Sequence, residues 1–263
     1  MPLSDEQLER YARHLVLREV GGAGQARLVE ARVLVVGAGG LGCPLILYLA
    51  AAGVGTIGVV DFDTVALSNL QRQIAFGTDD VGRPKTDAAA RAVAALNPDI
   101  RLELHPARLE AANAMDLIGR YDLVADGSDN FATRFLVNDA CFFSRRTLVS
   151  AAVTEFDGQL ATFKAHADRG RFPCYRCLFR DLPPQDAAPS CSESGVLGAV
   201  AGVMGTLQAL EVIKEIAGIG ESLAGHLLIL EALGTRFRKV KVPADPKCPL
   251  CGGNPTIRPS GII

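Results

Sequence analysis

The sequence predicts an α/β, Rossmann-like fold: a mostly parallel sheet with helices on both faces, continued by antiparallel strands in the C-terminal half. Three observations lead to this prediction. Short apolar strands alternate with helices over residues 31–152. A GxGxxG loop from Gly37 to Gly42 joins the first strand to a helix of small residues. After Ala152 the alternation stops, and the remaining strands have the pattern of antiparallel ones.

The elements follow in chain order. Ser4 and Gln7 form a capping-box pattern that opens an amphipathic helix. The apolar face of this helix carries Leu8, Tyr11, Ala12 and Leu15. Parallel strands are predicted at residues 32–36, 56–60, 100–104, 122–125 and 147–152. A helix of small residues follows the glycine loop and ends at Ala52, and further helices are predicted at residues 86–96, 111–119 and 130–144. Antiparallel strands are predicted at residues 159–165, 226–233 and 235–242.

A last helix is predicted at residues 195–217. Four of its glycines fall on one face, at Gly195, Gly198, Gly202 and Gly205. Glycine lowers helix propensity but allows close backbone approach, so we expect this face to pack tightly against the sheet or another subunit. The preceding residues, 170–194, show no clear period, which is typical of a functional loop or a disordered segment.

Composition limits the classes of protein to consider. The chain has 263 residues, 49% of them hydrophobic, which is enough for a single domain with one large core. A net charge of −2 gives no basic field that would favour nucleic acid or an acidic membrane. The polar N-terminus does not resemble a signal peptide, and the longest uncharged apolar run, residues 195–210, is too short to span a bilayer. A cytoplasmic location is therefore expected.

The glycine loop predicts a nucleotide site. Between a strand and a helix, such a loop turns backbone N–H groups and a helix N-terminus towards phosphates. Asp61 ends the next strand, where an acid can accept hydrogen bonds from ribose hydroxyls. Taken alone, this pattern is typical of NAD or FAD binding.

Residues further along favour a triphosphate with Mg²⁺ instead. Arg72 can bind phosphate oxygens with both arms of its guanidinium, and Asn69 can fix its position. Lys85 precedes a helix and Asp129 follows a strand, so both should lie at the same edge of the sheet. Asp129 could bind Mg²⁺, while the two cations neutralise charge on departing pyrophosphate. Each residue alone has a plainer interpretation: Asp61 or Asp63 could cap a turn, and the lysine could lie on the surface.

Four of the seven cysteines form two CxxC pairs, Cys174 with Cys177 and Cys248 with Cys251. The odd total, the absent signal pattern and the twin spacing favour a metal over disulfides. Four thiolates form a closed shell that is typical of structural zinc, and this four-cysteine zinc knuckle would tie the 170–194 loop to the C-terminal tail. Each CxxC pair alone could instead be redox-active.

The remaining cysteines differ in their surroundings. Cys191 lies just before the last predicted helix, where a helix N-terminus would favour its thiolate. It could act covalently, or it could be a cysteine in a loop that moves when a partner docks. Cys43 and Cys141 fall in predicted helices and are expected to be small buried hydrophobes.

Several runs of sequence resemble the MoeB/ThiF/HesA family, which is related to ubiquitin-activating enzymes, and the resemblance is strongest to MoeB. These runs are GAGGLGCP, VVDFDTVALSNLQRQ, VGRPK, ADGSDN, CYRCL, CSESGVLGAVAGVMGTLQALEVIK and CPLCG, and they extend in order from about residue 6 to residue 252. The resemblance implies an enzyme that uses ATP and Mg²⁺ to adenylate a ubiquitin-fold sulfur-carrier protein, MoaD-like or ThiS-like. The carrier's C-terminal Gly-Gly carboxylate would attack the α-phosphate, giving an acyl-adenylate and pyrophosphate.

The resemblance also assigns residues. The predicted nucleotide site consists of Gly37, Gly39, Gly40, Gly42, Asp61, Asp63, Ser68, Asn69, Leu70, Gln71, Arg72, Gln73, Lys85, Asp129 and Asn130. Arg13 lies in a basic stretch that would otherwise be a solvated helix face, but it matches an arginine that family members contribute from the neighbouring subunit of a homodimer. The expected catalytic residues are Arg13, Arg72, Lys85, Asp129 and Cys191. In some relatives a cysteine at the last position forms a persulfide, an acyl-disulfide or a thioester, whereas others only adenylate.

The family implies a division of the single domain 1–263 into an N-terminal helical arm (1–30), a nucleotide-binding half (31–152) and a carrier-binding half (153–263). The last half includes a crossover loop (170–194) and the zinc site. Little sequence follows the zinc knuckle, so a separate sulfur donor is expected, such as a cysteine desulfurase or a rhodanese. The carrier could serve molybdopterin synthesis, thiazole synthesis for thiamine, or the thiolation of tRNA or cysteine.

Two other classes of function remain as alternatives. An NAD-dependent oxidoreductase would explain the glycine loop and Asp61 but would leave Arg72, Lys85 and Asp129 without a role. A non-catalytic zinc adaptor for a ubiquitin-like protein would explain the cysteines but would leave the nucleotide site without a role.

Overall fold

The computed structural model of the chain describes residues 3–182 and 195–262. In these residues eight strands form one mixed sheet. The strands are β1 (Arg32–Val36), β2 (Thr56–Val60), β3 (Arg101–His105), β4 (Leu123–Asp126), β5 (Thr147–Thr154), β6 (Asp157–Phe163), β7 (His226–Glu231) and β8 (Arg236–Lys241). The α-helices are α1 (Asp5–Arg10), α2 (Ala12–Leu15), α3 (Gly21–Glu30), α4 (Gly42–Ala52), α5 (Lys85–Leu96), α6 (Ala111–Gly119), α7 (Phe131–Phe143), α8 (Tyr175–Leu178) and α9 (Gly198–Ala217).

The sheet order is β3-β2-β1-β4-β5-β6-β7-β8. Strands β1 to β5 are parallel where they pair, and β5 to β8 pair antiparallel. This confirms the predicted change from parallel to antiparallel pairing. Helices α4 and α9 cover one face of the sheet and α6 and α7 the other, which explains why β2 and β4 are buried along their whole length.

The parallel strands end in register at one edge of the sheet. Val36 at the end of β1 pairs with Val60 of β2 and with Asp126 of β4, and Val60 pairs with His105 of β3. Because the strands end together, the segments that follow them converge, as the sequence predicts. Helices α4, α5 and α7 all begin at this edge, after the glycine loop, residues 61–84 and residues 127–130 respectively.

The first predicted helix is two helices, because the chain bends at Tyr11. The capping box at Ser4 is present as predicted. Tyr11 is buried, and its hydroxyl accepts a hydrogen bond of 2.9 Å from Asn97 Nδ2. Its ring lies where a side chain on Gly53 would otherwise be, since a Cβ there would come within 2.5 Å of it. The prediction of one continuous apolar face was therefore wrong: Tyr11 alone of this face is buried, while Leu8 is 44% exposed.

The glycine-lined helix begins at Gly198 rather than Gly195, which precedes it with a φ of +80°. A Cβ at Gly198 would overlap the carbonyl oxygen of Gln71, and one at Gly205 would overlap that of Leu41. The predicted close packing is therefore real at these two positions. Gly202 faces open space, because a Cβ there would meet nothing within 4 Å.

The antiparallel half differs from the prediction only in its boundaries. Strand β6 starts two residues before its predicted start, because Glu155 adopts a φ of +49° and makes a two-residue turn between Thr154 and Asp157. In the part of the chain that the structure describes, no helix has the length and apolarity needed to cross a membrane.

Candidate functional site

A cleft of about 570 Å³ lies at the edge where the parallel strands end. Most of the predicted nucleotide site lines it: Gly37, Gly39, Gly40, Asp61, Asp63, Asn69, Arg72, Gln73, Lys85, Asp129 and Asn130. Four other predicted residues are neighbours of these but do not line the cleft: Gly42, Ser68, Leu70 and Gln71. Gly42 has no room for a side chain, because a Cβ there would overlap the carbonyl oxygen of Gly37.

Asp61 holds the glycine loop against the end of β2. Its Oδ2 accepts a 2.8 Å hydrogen bond from the Ala38 N–H, and its Oδ1 accepts a 2.8 Å bond from the Asp63 N–H. Gly37, at a φ of +88°, donates its own N–H to the Val60 carbonyl. Burial raises the pKa of Asp61, while Lys85 and these backbone donors act in the opposite direction. The carboxylate thus shapes the loop before any ligand binds.

Two cations, Lys85 and Arg72, line the cleft. Lys85 is the first residue of α5 and its side chain is only 8% exposed, so it is not an ordinary surface lysine. Its Nζ donates to Asp63 Oδ2 over 2.9 Å. Arg72 donates from Nη1 to the Ser68 carbonyl over 3.1 Å, and its side chain crosses Gly40, where a Cβ would lie 3.4 Å from Arg72 Cγ. Gly40 therefore packs closely against the Arg72 side chain and against Ala201, whose Cβ would lie 3.3 Å from a Cβ at this position.

The segment after β4 carries two aspartates with different surroundings. Asp129 is exposed in the cleft, next to Asn130, whose Oδ1 caps α7 by accepting the Thr133 N–H. Asp126 is fully buried behind it and accepts hydrogen bonds from the Ser128 N–H and the Ser150 hydroxyl. Burial raises the pKa of Asp126. The sequence alone does not indicate that Asp126 is buried and Asp129 is exposed.

The cleft lining also contains residues that the sequence did not predict, among them Phe62, Arg108 and Arg134. Arg134 donates from Nη2 to the Ser128 carbonyl over 2.9 Å. It also lines an adjoining groove of about 290 Å³ between α7 and the antiparallel strands. One signal for it was available, because Arg134 lies one turn after Asn130 in a helix that starts at the cleft.

Arg13 lies far from the cleft of its own chain. It is exposed on α2, directly after the contact of Tyr11 with Gly53 and Asn97. Those two residues follow the C-terminal ends of α4 and α5, whereas the cleft lies at the N-terminal ends of the same helices. The 11 residues of α4 alone separate the two ends by about 16 Å. Cys191, another predicted catalytic residue, is not among the described residues.

The four paired cysteines form one cluster, with their Sγ atoms all within 4.8 Å of one another. The Sγ–Sγ distances are 4.0 Å for Cys174–Cys177, 3.6 Å for Cys174–Cys248 and 3.4 Å for Cys177–Cys251. Four sulfurs at about 2.3 Å from a central ion would be about 3.8 Å apart, whereas a disulfide needs about 2 Å. The donor set therefore fits one tetrahedral metal ion. A Cβ on Gly252 would lie 2.6 Å from the Cys248 carbonyl oxygen, so this turn needs glycine.

The cysteine cluster is fixed to α7. Arg176, between the first two cysteines, makes a buried two-armed ion pair with Asp139, at 2.8 Å from Nε and 2.7 Å from Nη2. The Tyr175 N–H donates to Asn138 Oδ1 over 2.8 Å. Since α7 begins at the cleft, the cluster supports the helix that carries Asn130 and Arg134.

The fold is an α/β fold with a glycine loop at the carboxyl edge of its parallel strands, and comparison with known proteins identifies the family. The ThiF family model matches residues 11–250, so the chain belongs to the ThiF family. It is 51% identical over 261 residues to the sulfur carrier protein adenylyltransferase of Thermus thermophilus, covering 98% of this chain and 96% of that one.

A second relative is longer than this chain. The probable adenylyltransferase/sulfurtransferase MoeZ of Mycobacterium tuberculosis is 49% identical over 247 residues, which is 94% of this chain but 63% of MoeZ. Among solved structures, Escherichia coli MccB matches with a TM-score of 0.81 at 22% identity, over 95% of this chain and 76% of MccB. That likeness shows a shared fold.

The two hydrogen bonds that Asp61 accepts lead to a prediction about stability. In Asp61→Asn only one side-chain oxygen remains, so either the Ala38 or the Asp63 N–H loses its acceptor. We expect the free energy of unfolding, measured in urea without nucleotide, to fall by about 1–3 kcal/mol.

The matched control is Asp129→Asn, at an exposed carboxylate bonded to the neighbouring Asn130 side chain. Its unfolding free energy should stay within about 0.5 kcal/mol of wild type. Equal stability of the Asp61 variant and wild type would show that the carboxylate does not hold the loop.

Proposed function

We propose that this protein is an ATP-dependent adenylyltransferase that activates the C-terminal Gly-Gly carboxylate of a ubiquitin-fold sulfur-carrier protein. One observation carries the proposal: a glycine loop, the acid after β2 (Asp61) and two cations line one cleft, and a second groove adjoins it. The names of both sequence relatives describe adenylyltransferases, one of them acting on a sulfur carrier protein. An oxidoreductase would use neither Arg72 nor Lys85, and an adaptor would leave the whole cleft without a role.

ATP fits the cleft through complementary groups. The N–H groups of the glycine loop and the start of α4 face the phosphates, and Asp61 accepts hydrogen bonds from the ribose hydroxyls. Within the described residues, Gln73 Oε1 is buried at the cleft and has no hydrogen-bond partner. A bound ligand or its water would supply the missing partner, since buried polar atoms are rarely left unpaired.

The chemistry needs no general base. A C-terminal carboxylate is already ionised at pH 7, so the enzyme must position it against the α-phosphate. Arg72 and Lys85 then stabilise the charge that develops on departing pyrophosphate. Asp63 holds the Lys85 amine towards the cleft until the phosphates arrive. The exposed carboxylate of Asp129 suits Mg²⁺, which prefers carboxylate and phosphate oxygens and would neutralise part of the triphosphate charge.

The adjoining groove is the place for the carrier's C-terminal tail. Its walls include Phe131, Tyr175, Phe179 and residues 150–154 of β5, and a Gly-Gly tail has no side chains that would prevent it from entering. Arg134 lines both the groove and the cleft, so its guanidinium is placed to bind the terminal carboxylate where the two meet.

A second copy of the chain would complete the site with Arg13. Large apolar side chains are exposed on α4 and α9, which contact each other, and on the loop before α5. They are Tyr48, Leu67, Ile74, Val203 and Leu210, with 43–69% of each exposed. Patches of this kind mark interaction surfaces, and Gly202 leaves open space among them. The homodimer we propose buries this face and brings Arg13 of one copy to the cleft of the other.

The cysteine cluster is proposed to hold structural Zn²⁺. Four thiolates leave no open position for a substrate, so the metal would join residues 174–177 to residues 248–251 and take no part in adenylation. Sulfur would reach the activated carrier from a separate donor protein, in molybdopterin or thiamine-type biosynthesis. A covalent role for Cys191 stays a prediction.

The assignment of Arg72 and Lys85 is tested by ATP–pyrophosphate exchange in the presence of a Gly-Gly-ended carrier. Arg72→Ala and Lys85→Ala should each lower the exchange rate by about 10³-fold or more, because each removes a positive charge from the transition state. Arg101→Ala, which removes an exposed arginine paired with Glu103 outside the cleft, should leave the rate unchanged. A variant with ordinary exchange would remove its residue from the catalytic set.

The homodimer is tested by co-expressing Arg13→Ala with Lys85→Ala, each inactive alone. Random mixing makes half of the dimers mixed, each with one complete cleft, so about a quarter of wild-type exchange should return. Mixing Arg72→Ala with Lys85→Ala should restore nothing, because both residues belong to the cleft's own chain. Failure of the first mixture to recover would contradict a contribution of Arg13 from the partner.

Metal analysis tests the zinc site. We expect about one zinc per chain in purified protein, and a large loss of zinc and of thermal stability in Cys251→Ser. Cys141→Ala, which removes a buried thiol outside the cluster, should keep its zinc. Wild-type protein without bound metal would refute the site.

A further inference from the structure

Arg108 and Phe62 form a cation–π pair in the lining of the cleft. The Arg108 guanidinium carbon lies 3.8 Å from the centroid of the Phe62 ring. Both residues line the cleft, and 53% of Phe62 is exposed. Among the described residues, no side chain accepts a hydrogen bond or forms an ion pair with the Arg108 guanidinium, although it offers five donors. The N–H donors of the Arg108 guanidinium therefore have no side-chain partner among the described residues, and its recorded side-chain contact is the Phe62 ring.

Strand register shows which part of a nucleotide this pair would meet. Val36, Val60 and His105 are paired across β1, β2 and β3, and neighbouring strands lie about 4.8 Å apart. With phosphates at the loop after β1 and the ribose at Asp61 after β2, the base extends towards β3. Phe62 directly follows Asp61, and Arg108 lies three residues beyond the end of β3.

We propose that Arg108 and Phe62 form the shelf on which the adenine base stacks, with the guanidinium between the phenyl ring and the base. This inference rests on the proposed ATP-dependent function. A guanidinium is planar and delocalised, so it can stack on an aromatic ring with each of its two faces. Phe62 covers one face and fixes its plane. Leu109, buried to 8% exposure and also in the lining, gives the base an apolar neighbour.

The stack makes Arg108 a binding residue for the base rather than for the phosphates. Its contribution is present in the ground state and in the transition state alike, so its loss should raise the KM for ATP and leave kcat nearly unchanged. Lysine has the same charge as arginine but no planar group, so Arg108→Lys should behave like Arg108→Ala. A phosphate contact would instead be largely retained by lysine.

The test measures carrier-dependent ATP–pyrophosphate exchange in wild type, Arg108→Ala, Arg108→Lys and Phe62→Leu, with inorganic tripolyphosphate as a competitor that has no base. We expect all three variants to raise the KM for ATP by about tenfold, equal to about 1.4 kcal/mol, with kcat within about twofold. Inhibition by tripolyphosphate should be unchanged. Arg120→Ala, an exposed arginine paired with Asp116 outside the cleft, should match wild type.

Two results would overturn the shelf while leaving the proposed function intact. One is a wild-type KM for ATP in Arg108→Ala, which would place the base elsewhere. The other is a combination of two results: a wild-type KM for ATP in Arg108→Lys, and weaker inhibition by tripolyphosphate in Arg108→Ala. Together they would show that the arginine binds the phosphates. Absence of ATP-dependent exchange in wild type would overturn the proposed function itself, and the shelf with it.

Discussion

The nucleotide site that we propose depends on the carboxylate of Asp61, which joins the end of β2 to the glycine loop after the neighbouring strand β1. It accepts one backbone N–H from Ala38, within the glycine loop, and one from Asp63, and so fixes two segments at once. Asp63 in turn holds the Lys85 amine. The loop can fold this tightly only because Gly42 lies against the Gly37 carbonyl. A single partly buried acidic side chain therefore organises the glycine loop and, through Asp63, one of the two cations without any ligand.

Helix α7 connects this cleft to the cysteine cluster. Its first turn presents Asn130 and Arg134 to the cleft, and its later residues bind the segment between Cys174 and Cys177 through Asn138 and Asp139. Removing one partner of a buried ion pair such as Asp139–Arg176 costs about 3–5 kcal/mol, so the cluster and the helix are strongly coupled. The metal site that we propose would therefore influence adenylation through the position of a helix and of the groove beside it, without touching the reacting atoms.

Sequence patterns predicted the features that local chemistry determines. The alternation of strands and helices indicated the parallel half, and the shared edge of its strand ends brought the glycine loop, Asp61 and Asp129 together. Tertiary contacts decided the rest. Tyr11, where the first predicted helix divides, is buried against Asn97 and Gly53, and the face of spaced glycines is close-packed at only two of its four positions. Arg108 stacks on Phe62 across 46 residues of sequence, and no periodicity signals such a pair.

The central claim is that the cleft joins AMP to a protein C-terminus. Mass spectrometry of a Gly-Gly-ended carrier, incubated with the enzyme, Mg²⁺ and ATP, tests it directly. We predict that the carrier gains one adenylyl group at its terminal carboxylate as pyrophosphate is released, and that a carrier ending in a carboxamide gains none. ATP turnover to ADP and phosphate with an unmodified carrier, or modification of the carboxamide form, would contradict the account.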